Sequence, residues 1–256
     1  MRRALTRAVS PAISACELTH LSRTPIDFAR ATGQHRAYEE ALVRAGCTVI
    51  PIPPAPESPD SVFVEDTAVV VDGLAILTRP GARTRRAEVD AVASVLKQFL
   101  TVVRLEAPAT LDGGDVLRMG NVLFVGRTAR SNAEGRRQLA AAVAPGGLSV
   151  REVEVRDALH LKSAVTAIAD DVVLLQPRWI DQDVFADYRI IEVDEHEPSA
   201  ANVLRIAGQL IVPAAHPRTA ARCAPFVDRI LEVAVDELAR AEGAVTCCSI
   251  LIETGS

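Results

Sequence analysis

Short runs of aliphatic and β-branched residues recur along the chain in pairs, and a polar turn separates the members of each pair. Residues 67–71 and 74–77 form the first pair, joined by Asp72-Gly73, a dipeptide that strongly favours a two-residue hairpin turn. The pattern returns three times, at 115–119 with 122–125, at 163–168 with 172–175, and at 202–206 with 210–212. The chain is therefore predicted to contain four β-hairpins of similar design.

Further strands and helices are predicted between these hairpins. Additional apolar runs cover residues 48–52, 102–105, 150–155, 190–193 and 230–235. Helical patterns cover residues 37–45, 85–100 and a stretch to about residue 143 that opens with the capping box Ser131-Asn132-Ala133-Glu134. The unit is thus helix–strand–strand–helix–strand in loose form, repeated about five times at roughly 40–50 residues.

The two ends of the chain supply the fifth copy. Residues 248–252 form half of a hairpin pattern, and residues 4–9 could supply the partner strand. Five copies with half-units at the termini suggest a closed ring, because termini that complete one hairpin remove an open sheet edge. We therefore predict an α/β fold in a single domain spanning residues 1–256.

Chemically useful side chains precede the first strand of successive copies. Reading along the chain gives Glu65 and Asp66, then Asp112 in the motif Asp-Gly-Gly-Asp, then His160, then Cys247. Each alone is weak evidence, since acidic turns are usually solvated and lone histidines are usually structural. In a ring, however, these positions converge. A thiol with an imidazole partner that a carboxylate orients is the general arrangement of a nucleophilic triad.

The stretch around Cys247 is a candidate nucleophile site. Gly243 is expected to allow a sharp turn, which would place Cys247 at the mouth of the last strand, where a thiol can meet a ligand. Cys248 is expected to be buried outside the hub, because successive strand residues point to opposite faces. The surplus carboxylates nearby suit a cationic substrate, above all a planar guanidinium that pairs with carboxylate through two hydrogen bonds.

Composition narrows the classes of partner. The 256-residue chain is 49% hydrophobic but only 4% aromatic, so small aliphatic residues must build its core. A net charge of −5 provides no basic surface for nucleic acid, and no apolar run is long enough for a membrane span.

Five cysteines, without disulfide-framework or zinc spacing, fit a reducing cytoplasm. Residues 13–16 resemble a lipoprotein cleavage box, but polar residues interrupt the segment before it, and we interpret the start as mature protein.

Four ordered motifs carry a family resemblance. They are Asp-Ser-Val-Phe-Val-Glu-Asp at 60–66, Arg-Pro-Gly-Ala at 79–82, His-Leu-Lys-Ser at 160–163 and Thr-Cys-Cys-Ser at 246–249. Together they resemble the dimethylarginine dimethylaminohydrolases, over essentially the whole chain. Those enzymes are guanidino-modifying enzymes with the pentein fold, a five-bladed α/β propeller of αββαβ-type units. The resemblance therefore agrees with the ring that the repeats suggest.

The resemblance implies roles for ten residues. Cys247 would be the nucleophile, His160 the general acid and base, and Asp112 the carboxylate that orients His160. The implied guanidinium-side carboxylates are Glu65 and Asp66, the implied clamp on the amino-acid end is Asp60, Arg85 and Arg130, and the implied backbone-carbonyl contacts are Leu18 and Ala241.

The implied reaction converts Nω-methylated L-arginine, asymmetric dimethylarginine or monomethylarginine, into L-citrulline and a methylamine. It proceeds through a covalent S-alkylthiouronium intermediate on Cys247. It implies a small-molecule substrate and no metal or organic cofactor, and it leaves a homodimer possible.

Two alternatives stay open. Arginine deiminases and amidinotransferases share the hub chemistry but are typically longer, with inserted segments, whereas this chain is compact. From a different class, Cys247 and Cys248 could form a redox switch in a non-catalytic arginine-binding protein, although adjacent cysteines close a strained ring.

Overall fold

The computed structural model describes residues 2–253 and contains fifteen strands in five three-stranded sheets. In chain order, β1 to β15 are Arg2–Thr6, Cys47–Pro51, Ala68–Val71, Leu74–Leu77, Thr101–Arg104, Val116–Met119, Val122–Arg127, Ser149–Glu154, Val165–Ala167, Val172–Leu175, Arg189–Glu192, Leu204–Ile206, Gln209–Pro213, Arg229–Val233 and Ile250–Glu253.

Six α-helices and several 3-10 turns connect the strands of the described chain. Helices α1 to α6 are Phe28–Arg44, Val89–Leu96, Ala133–Val143, Leu161–Ala164, Pro217–Cys223 and Asp236–Ala239. The 3-10 turns are Ile13–Ala15, Val64–Thr67, Arg83–Glu88, Gly113–Asp115, Ala144–Gly146, Gln182–Phe185 and Ala224–Phe226.

All five sheets share one topology, in which the middle strand pairs antiparallel on one side and parallel on the other. The first to fourth sheets are β3-β4-β5, β6-β7-β8, β9-β10-β11 and β12-β13-β14, and the fifth is β15-β1-β2. In the first sheet, Ala68 lies opposite Leu77 in the antiparallel pair and Leu74 lies beside Thr101 in the parallel pair. The fifth sheet joins the two ends of the chain, as the pattern of half-units predicts.

The hairpin turn at Asp72-Gly73 confirms the expectation from its sequence. Both residues have positive φ angles, 45° for Asp72 and 81° for Gly73. This is the backbone shape of the two-residue turn that matches the twist of an antiparallel pair. The register of the first hairpin is thus set locally.

The first strands of the five sheets surround one central cavity. It has a volume of about 240 Å³, and every sheet contributes to its lining, for example through Val70, Leu117, Thr166, Leu204 and Ile250. Five strands can face one cavity only if the sheets are arranged around an axis. The ring predicted from the repeats therefore agrees with the structure.

The hydrophobic core is divided into clusters at the contacts between neighbouring sheets. One cluster joins the second and third sheets through Leu117, Phe124 and Val173. Here the ring of Phe124 lies 4.5 Å from that of Phe185, measured between centroids. Elsewhere aliphatic side chains dominate, as the low aromatic content requires.

Several predicted boundaries are wrong. Helix α1 begins at Phe28, well before the predicted residue 37, because Asp27 caps it by accepting the N–H of Arg30. The predicted helix 85–100 is instead the 3-10 turn Arg83–Glu88 followed by the short α2. The last strand begins at Ile250 rather than at residue 248, and residues 163–164, which were predicted to begin a strand, instead end α4.

The predicted capping box at Ser131 is also wrong. Asn132 is the residue that caps α3, its side chain accepting the N–H of Gly135. The hydroxyl of Ser131 instead donates to the carboxylate of Asp115 at 2.5 Å. The buried carboxylate of Asp115 needs a hydrogen-bond donor, and Ser131 therefore bonds to it instead of capping α3.

No helix within residues 2–253 is both long enough and apolar enough to cross a membrane.

Two helical glycines should respond oppositely to alanine. Gly33 of α1 is exposed, with open space where a Cβ would lie, whereas a Cβ on Gly135 of α3 would lie 2.0 Å from the carbonyl oxygen of Thr110. Gly33→Ala should stabilise the fold by about 0.5–1 kcal/mol, and Gly135→Ala should destabilise it by about 1–3 kcal/mol. Urea unfolding measures both changes, and equal effects would contradict the packing of α3.

Candidate active site

A pocket brings together seven of the ten residues with predicted roles. They are Asp60, Asp66, Arg85, Arg130, His160, Ala241 and Cys247. The remaining wall is formed by Glu17, Phe63, Leu159, Glu242 and Gly243. Most of these residues lie in turns, just before the first strand of a sheet or just before its helix. The repeated fold therefore gathers them at one end of the hub.

His160 and Asp112 form a buried pair. Nε2 of His160 lies 3.0 Å from Oδ2 of Asp112, and the other oxygen of Asp112 accepts the N–H of Gly81 at 2.8 Å. Asp112 has no exposed surface and His160 is only 5% exposed. The imidazole is thus held in one orientation by a carboxylate that is itself fixed.

Asp66 lies on the other side of the imidazole. Its Oδ1 is 3.8 Å from Nδ1 of His160 and accepts the N–H of Gly114 at 3.0 Å, while its Oδ2 pairs with Nη1 of Arg85 at 2.5 Å. A Cβ on Gly114 would lie 2.6 Å from Nδ1 of His160. Only glycine allows the backbone to come this close to the imidazole of His160.

Arg85 is more deeply engaged than the resemblance implies. Its guanidinium binds Asp66, pairs with Glu88 at 3.0 Å and donates to the carbonyl of Phe63 at 2.8 Å. The residue is 4% exposed. In this arrangement Arg85 mainly holds Asp66 in place, and a direct contact with a substrate carboxylate stays a prediction.

Arg130 and Asp60 lie where they could contact the far end of a ligand. Arg130 is half-buried, and its Nη2 contacts Oγ1 of Thr19 at 3.1 Å. Asp60 accepts the N–H of Glu17 at 3.2 Å, and burial raises the pKa of its carboxyl group to about 6. Leu18 follows Glu17 in this loop.

Cys247 lies in the irregular segment between α6 and β15. It is partly exposed, whereas Cys248 is fully buried, with its Sγ 3.4 Å from the carbonyl oxygen of Ala244. Cys248 is therefore more deeply buried than Cys247, as predicted, but the predicted reason is wrong because neither residue lies in a strand. Gly243 acts differently from the expectation: the positive φ falls at Glu242, and a Cβ on Gly243 would lie 2.1 Å from the ring of Phe63.

Glu65 borders the central cavity rather than the pocket. Its two carboxylate oxygens bind Nζ of Lys162 at 2.6 Å and the hydroxyl of Thr246 at 2.8 Å. Its backbone N–H donates to the carbonyl of Cys247 at 3.1 Å. Glu65 therefore lies beneath Cys247 and holds its backbone, and the predicted contact of Glu65 with a guanidinium stays a prediction.

Asp115, the second acid of Asp-Gly-Gly-Asp, supports both members of the imidazole–carboxylate pair. It accepts the N–H of Leu161, next to His160, at 3.0 Å. It also accepts the hydroxyl of Ser131, whose oxygen in turn accepts the N–H of Asp112 at 3.2 Å. Burial raises the pKa of Asp115 to about 6. The sequence motif pointed to Asp112, but nothing in it indicated this role.

The fourth repeat also contributes a residue that the sequence analysis missed. Asn202 is buried and bonds to Thr246 and to the carbonyl of Lys162. It precedes β12, in the position equivalent to the mouth residues of the other repeats. That equivalence was the signal that could have identified it.

Burial and nearby charges shift the pKa values of His160 and Cys247. Burial by itself lowers the pKa of His160, but the charge of Asp66 and the hydrogen bond to Asp112 outweigh it and raise that pKa to about 9. Burial, reinforced by the charges of Glu65 and Asp66, raises the pKa of Cys247 to about 12. Both shifts favour an imidazolium and a neutral thiol at neutral pH.

Asp66, Asp112 and His160 are the described groups close enough to share a metal ion, with ligand atoms within 4.8 Å of one another. However, Arg85 already neutralises Asp66, and Asp112 is bonded to the imidazole. These bonds favour an acid–base pair over a cation site.

This chain is similar to enzymes that act on arginine and its methylated derivatives. The arginine deiminase family model matches residues 49–207. The N(G),N(G)-dimethylarginine dimethylaminohydrolase of Streptomyces coelicolor is 40% identical, over 97% of this chain and 96% of the relative. The enzyme of the same name from Pseudomonas aeruginosa is 36% identical over 91% of each chain.

Solved structures support the same fold. The citrulline complex of the Pseudomonas aeruginosa enzyme superposes with a TM-score of 0.93 at 33% identity, covering 98% of each chain. A cyanobacterial arginine dihydrolase domain superposes with a TM-score of 0.85 at 18% identity, which is evidence of the fold alone.

The five-sheet fold and the cysteine–histidine–carboxylate site define a pentein hydrolase that acts on guanidino C–N bonds. Within that class, identity over nearly the full length distinguishes one branch. The chain belongs to the dimethylarginine dimethylaminohydrolase family, which confirms the resemblance and the fold class predicted from the sequence.

The raised pKa of His160 couples the stability of the fold to pH. Because about 9 lies above the ordinary 6.5, the folded state holds this proton more tightly than the unfolded chain does. The resulting stabilisation is complete below about pH 6.5 and is lost as the pH rises through 9. The free energy of unfolding of the wild type, relative to that of His160→Gln, should therefore fall across this window in urea titrations. A difference that does not change with pH would contradict the ion pairs around His160.

Proposed function

We propose that this protein hydrolyses Nω-methylated L-arginine to L-citrulline and a methylamine. The observation that carries the proposal is the convergence of Cys247, the His160–Asp112 pair and Asp66 on one pocket. The relatives named for dimethylarginine hydrolysis, one of them solved with citrulline, support the same reaction.

The first half-reaction needs a thiolate, a held guanidinium and an acid. The cationic guanidinium enters beside Asp66 and offsets the negative charge that, together with burial, raises the pKa of Cys247, so the thiol loses its proton to solvent. The thiolate attacks the guanidinium carbon. His160, protonated at neutral pH, gives its proton to the departing methylamine, and the C–N bond breaks. An S-alkylthiouronium remains on Cys247.

The second half-reaction reverses the role of His160. The neutral imidazole takes a proton from water as the water oxygen attacks the thiouronium carbon. The C–S bond then breaks as the hydroxyl of the tetrahedral intermediate loses the second proton of the water to solvent, which releases the ureido group of citrulline and restores the thiolate. Asp112 keeps the imidazole oriented throughout, because its carboxylate is fixed by the N–H of Gly81.

Arg130 and Asp60 would recognise the amino-acid end of the substrate. The guanidinium of Arg130 is suited to the α-carboxylate, and the carboxyl group of Asp60 to the α-ammonium. Leu18 and Ala241 would offer backbone carbonyls to the same end. Arg85 is expected to assist the carboxylate clamp, and Glu65 the binding of the guanidinium.

The matched family model makes arginine deiminase activity the second candidate. The chemistry would be the same, with ammonia as the leaving group. A preference for unmethylated arginine over methylarginines would favour it.

The five cysteines are all free thiols, and from them we infer a cytoplasmic protein; a homodimer is left open.

The experiment that tests the function measures citrulline release from methylarginines by the purified protein. Cys247→Ser should abolish release, because a serine hydroxyl is a far weaker nucleophile in this site. Cys248→Ser should retain most of it, since Cys248 is buried away from the pocket. Equal loss in both variants would contradict the assignment of the nucleophile and favour a paired role for the two thiols.

Substitutions of residues that bind the two ends of the substrate should change different kinetic constants. Arg130→Ala removes binding far from the breaking bond, so KM should rise strongly while kcat falls less. Asp66→Asn removes charge beside the reacting carbon, so kcat should fall by about 10²–10³-fold. Steady-state kinetics with methylarginine and its decarboxylated analogue measure both effects.

The wild type should use the decarboxylated analogue poorly, and Arg130→Ala should discriminate against it less. If the wild type accepts both compounds equally well, the proposed clamp is wrong.

A further inference from the structure

The nucleophile lies in a part of the chain that no sheet or helix holds. Residues 240–249 connect α6 to β15 and form turns and irregular structure. The position of Cys247 therefore depends on side chains from other repeats. This matters for catalysis, because an error of about 1 Å in placing a reacting group can lower the rate about 10²-fold.

Asn202 makes three hydrogen bonds beneath this segment. Its Oδ1 accepts the N–H of Thr246 at 3.0 Å, and its Nδ2 donates to Oγ1 of Thr246 at 2.9 Å and to the carbonyl of Lys162 at 3.1 Å. Asn202 is 4% exposed. Asn202 thus bonds to both the backbone N–H and the side chain of Thr246, the residue immediately before Cys247.

These bonds belong to a closed circuit. The hydroxyl of Thr246, which accepts from Asn202, donates to Glu65, and Glu65 pairs with the ammonium of Lys162. The carbonyl of Lys162 accepts from Asn202 and closes the ring. Its members come from the first, third, fourth and fifth repeats. The N–H of Glu65 also donates to the carbonyl of Cys247. Members of the circuit therefore bond to the residue before Cys247 and to the backbone of Cys247 itself.

The chemistry of the circuit requires a carboxamide at this position. Two donors and one acceptor must face a backbone N–H, a hydroxyl and a carbonyl at once, and an amide offers these groups on one rigid plane. An isosteric leucine would remove the bonds to the N–H of Thr246 and to the carbonyl of Lys162, and would leave the hydroxyl of Thr246 with its bond to Glu65 alone, which is costly in a dry interior.

We propose that Asn202 is a positioning residue for the nucleophile: its carboxamide ties the peptide before Cys247 to the third repeat and sets the position of the thiol relative to His160 and Asp66. The proposal rests on the proposed function, in which Cys247 attacks a guanidinium carbon. It assigns the fourth repeat a part in catalysis, although that repeat contributes no residue to the pocket lining among those described.

The test compares Asn202→Leu with a matched control, Gln176→Leu. Gln176 is also 4% exposed and also bonds to backbone, to the carbonyl of Pro198 and the N–H of Arg178, outside the pocket. Asn202→Leu should lower kcat for a methylarginine by about 10–100-fold with KM nearly unchanged, because the binding groups stay in place. Gln176→Leu should leave kcat unchanged per folded molecule, as judged by near-ultraviolet circular dichroism.

A second readout needs no turnover. Alkylation of Cys247 by chloroacetamidine, a planar cation, is compared with alkylation by neutral chloroacetamide. A thiol held beside Asp66 should favour the cation, and Asn202→Leu should reduce that preference while Gln176→Leu keeps it. If the wild type fails to hydrolyse methylarginines, the proposed function fails, and this ratio alone still decides the positioning role.

A folded Asn202→Leu with wild-type kcat and alkylation preference would overturn the proposal, as would losses shared equally by Gln176→Leu. If Asn202→Leu does not fold, Thr246→Val and Thr246→Ser decide. Valine removes the hydroxyl that joins Asn202 to Glu65 and should lower kcat, and serine restores that hydroxyl and should recover most of the rate. Equal activity in these two variants would overturn the circuit as a positioning device.

Discussion

The buried carboxylate of Asp66 is the interaction on which the site depends. It is 3% exposed and joins three parts of the chain: the guanidinium of Arg85, the N–H of Gly114 and the imidazole of His160. Removing such a charge from water is costly unless it is paired and hydrogen-bonded. The neighbours that meet this requirement are also the ones that hold the site together. Asp66 contributes to the raised pKa values of both His160 and Cys247, and a guanidinium substrate would relieve that negative charge.

The repeated architecture explains how so many polar groups can meet in one place. Each sheet contributes the turn before its first strand, and the ring brings the five turns together. Two glycines then permit contacts that a side chain would block. A Cβ on Gly113 would lie 2.0 Å from the carbonyl of Glu65, and one on Gly114 would overlap the imidazole of His160. The motif Asp-Gly-Gly-Asp is therefore a requirement of close packing as well as a source of carboxylates.

Features that depend on neighbouring residues could be predicted from the sequence, whereas features that depend on distant partners could not. The hairpins and their order were predictable, because the period of apolar residues and a turn such as Asp72-Gly73 act within a few residues. The role of Ser131 was not, because its partner Asp115 lies sixteen residues away. Arg85 presented the same difficulty: a basic residue early in a predicted helix gave no sign that Asp66, Glu88 and backbone carbonyls would surround it.

The sequence by itself indicated the five repeats, suggested that the two termini complete one of them, and supplied the thiol, imidazole and carboxylates that precede the strands. Those features follow from periodicity and from residue chemistry, which are local properties. Only the tertiary structure decided how each group is used. It paired Glu65 with Lys162, buried Arg85 behind Asp66, and brought Asn202 beneath Cys247. The physical reason is that buried polar groups must satisfy one another, and their partners lie on repeats that are distant in sequence and come into contact only in the folded chain.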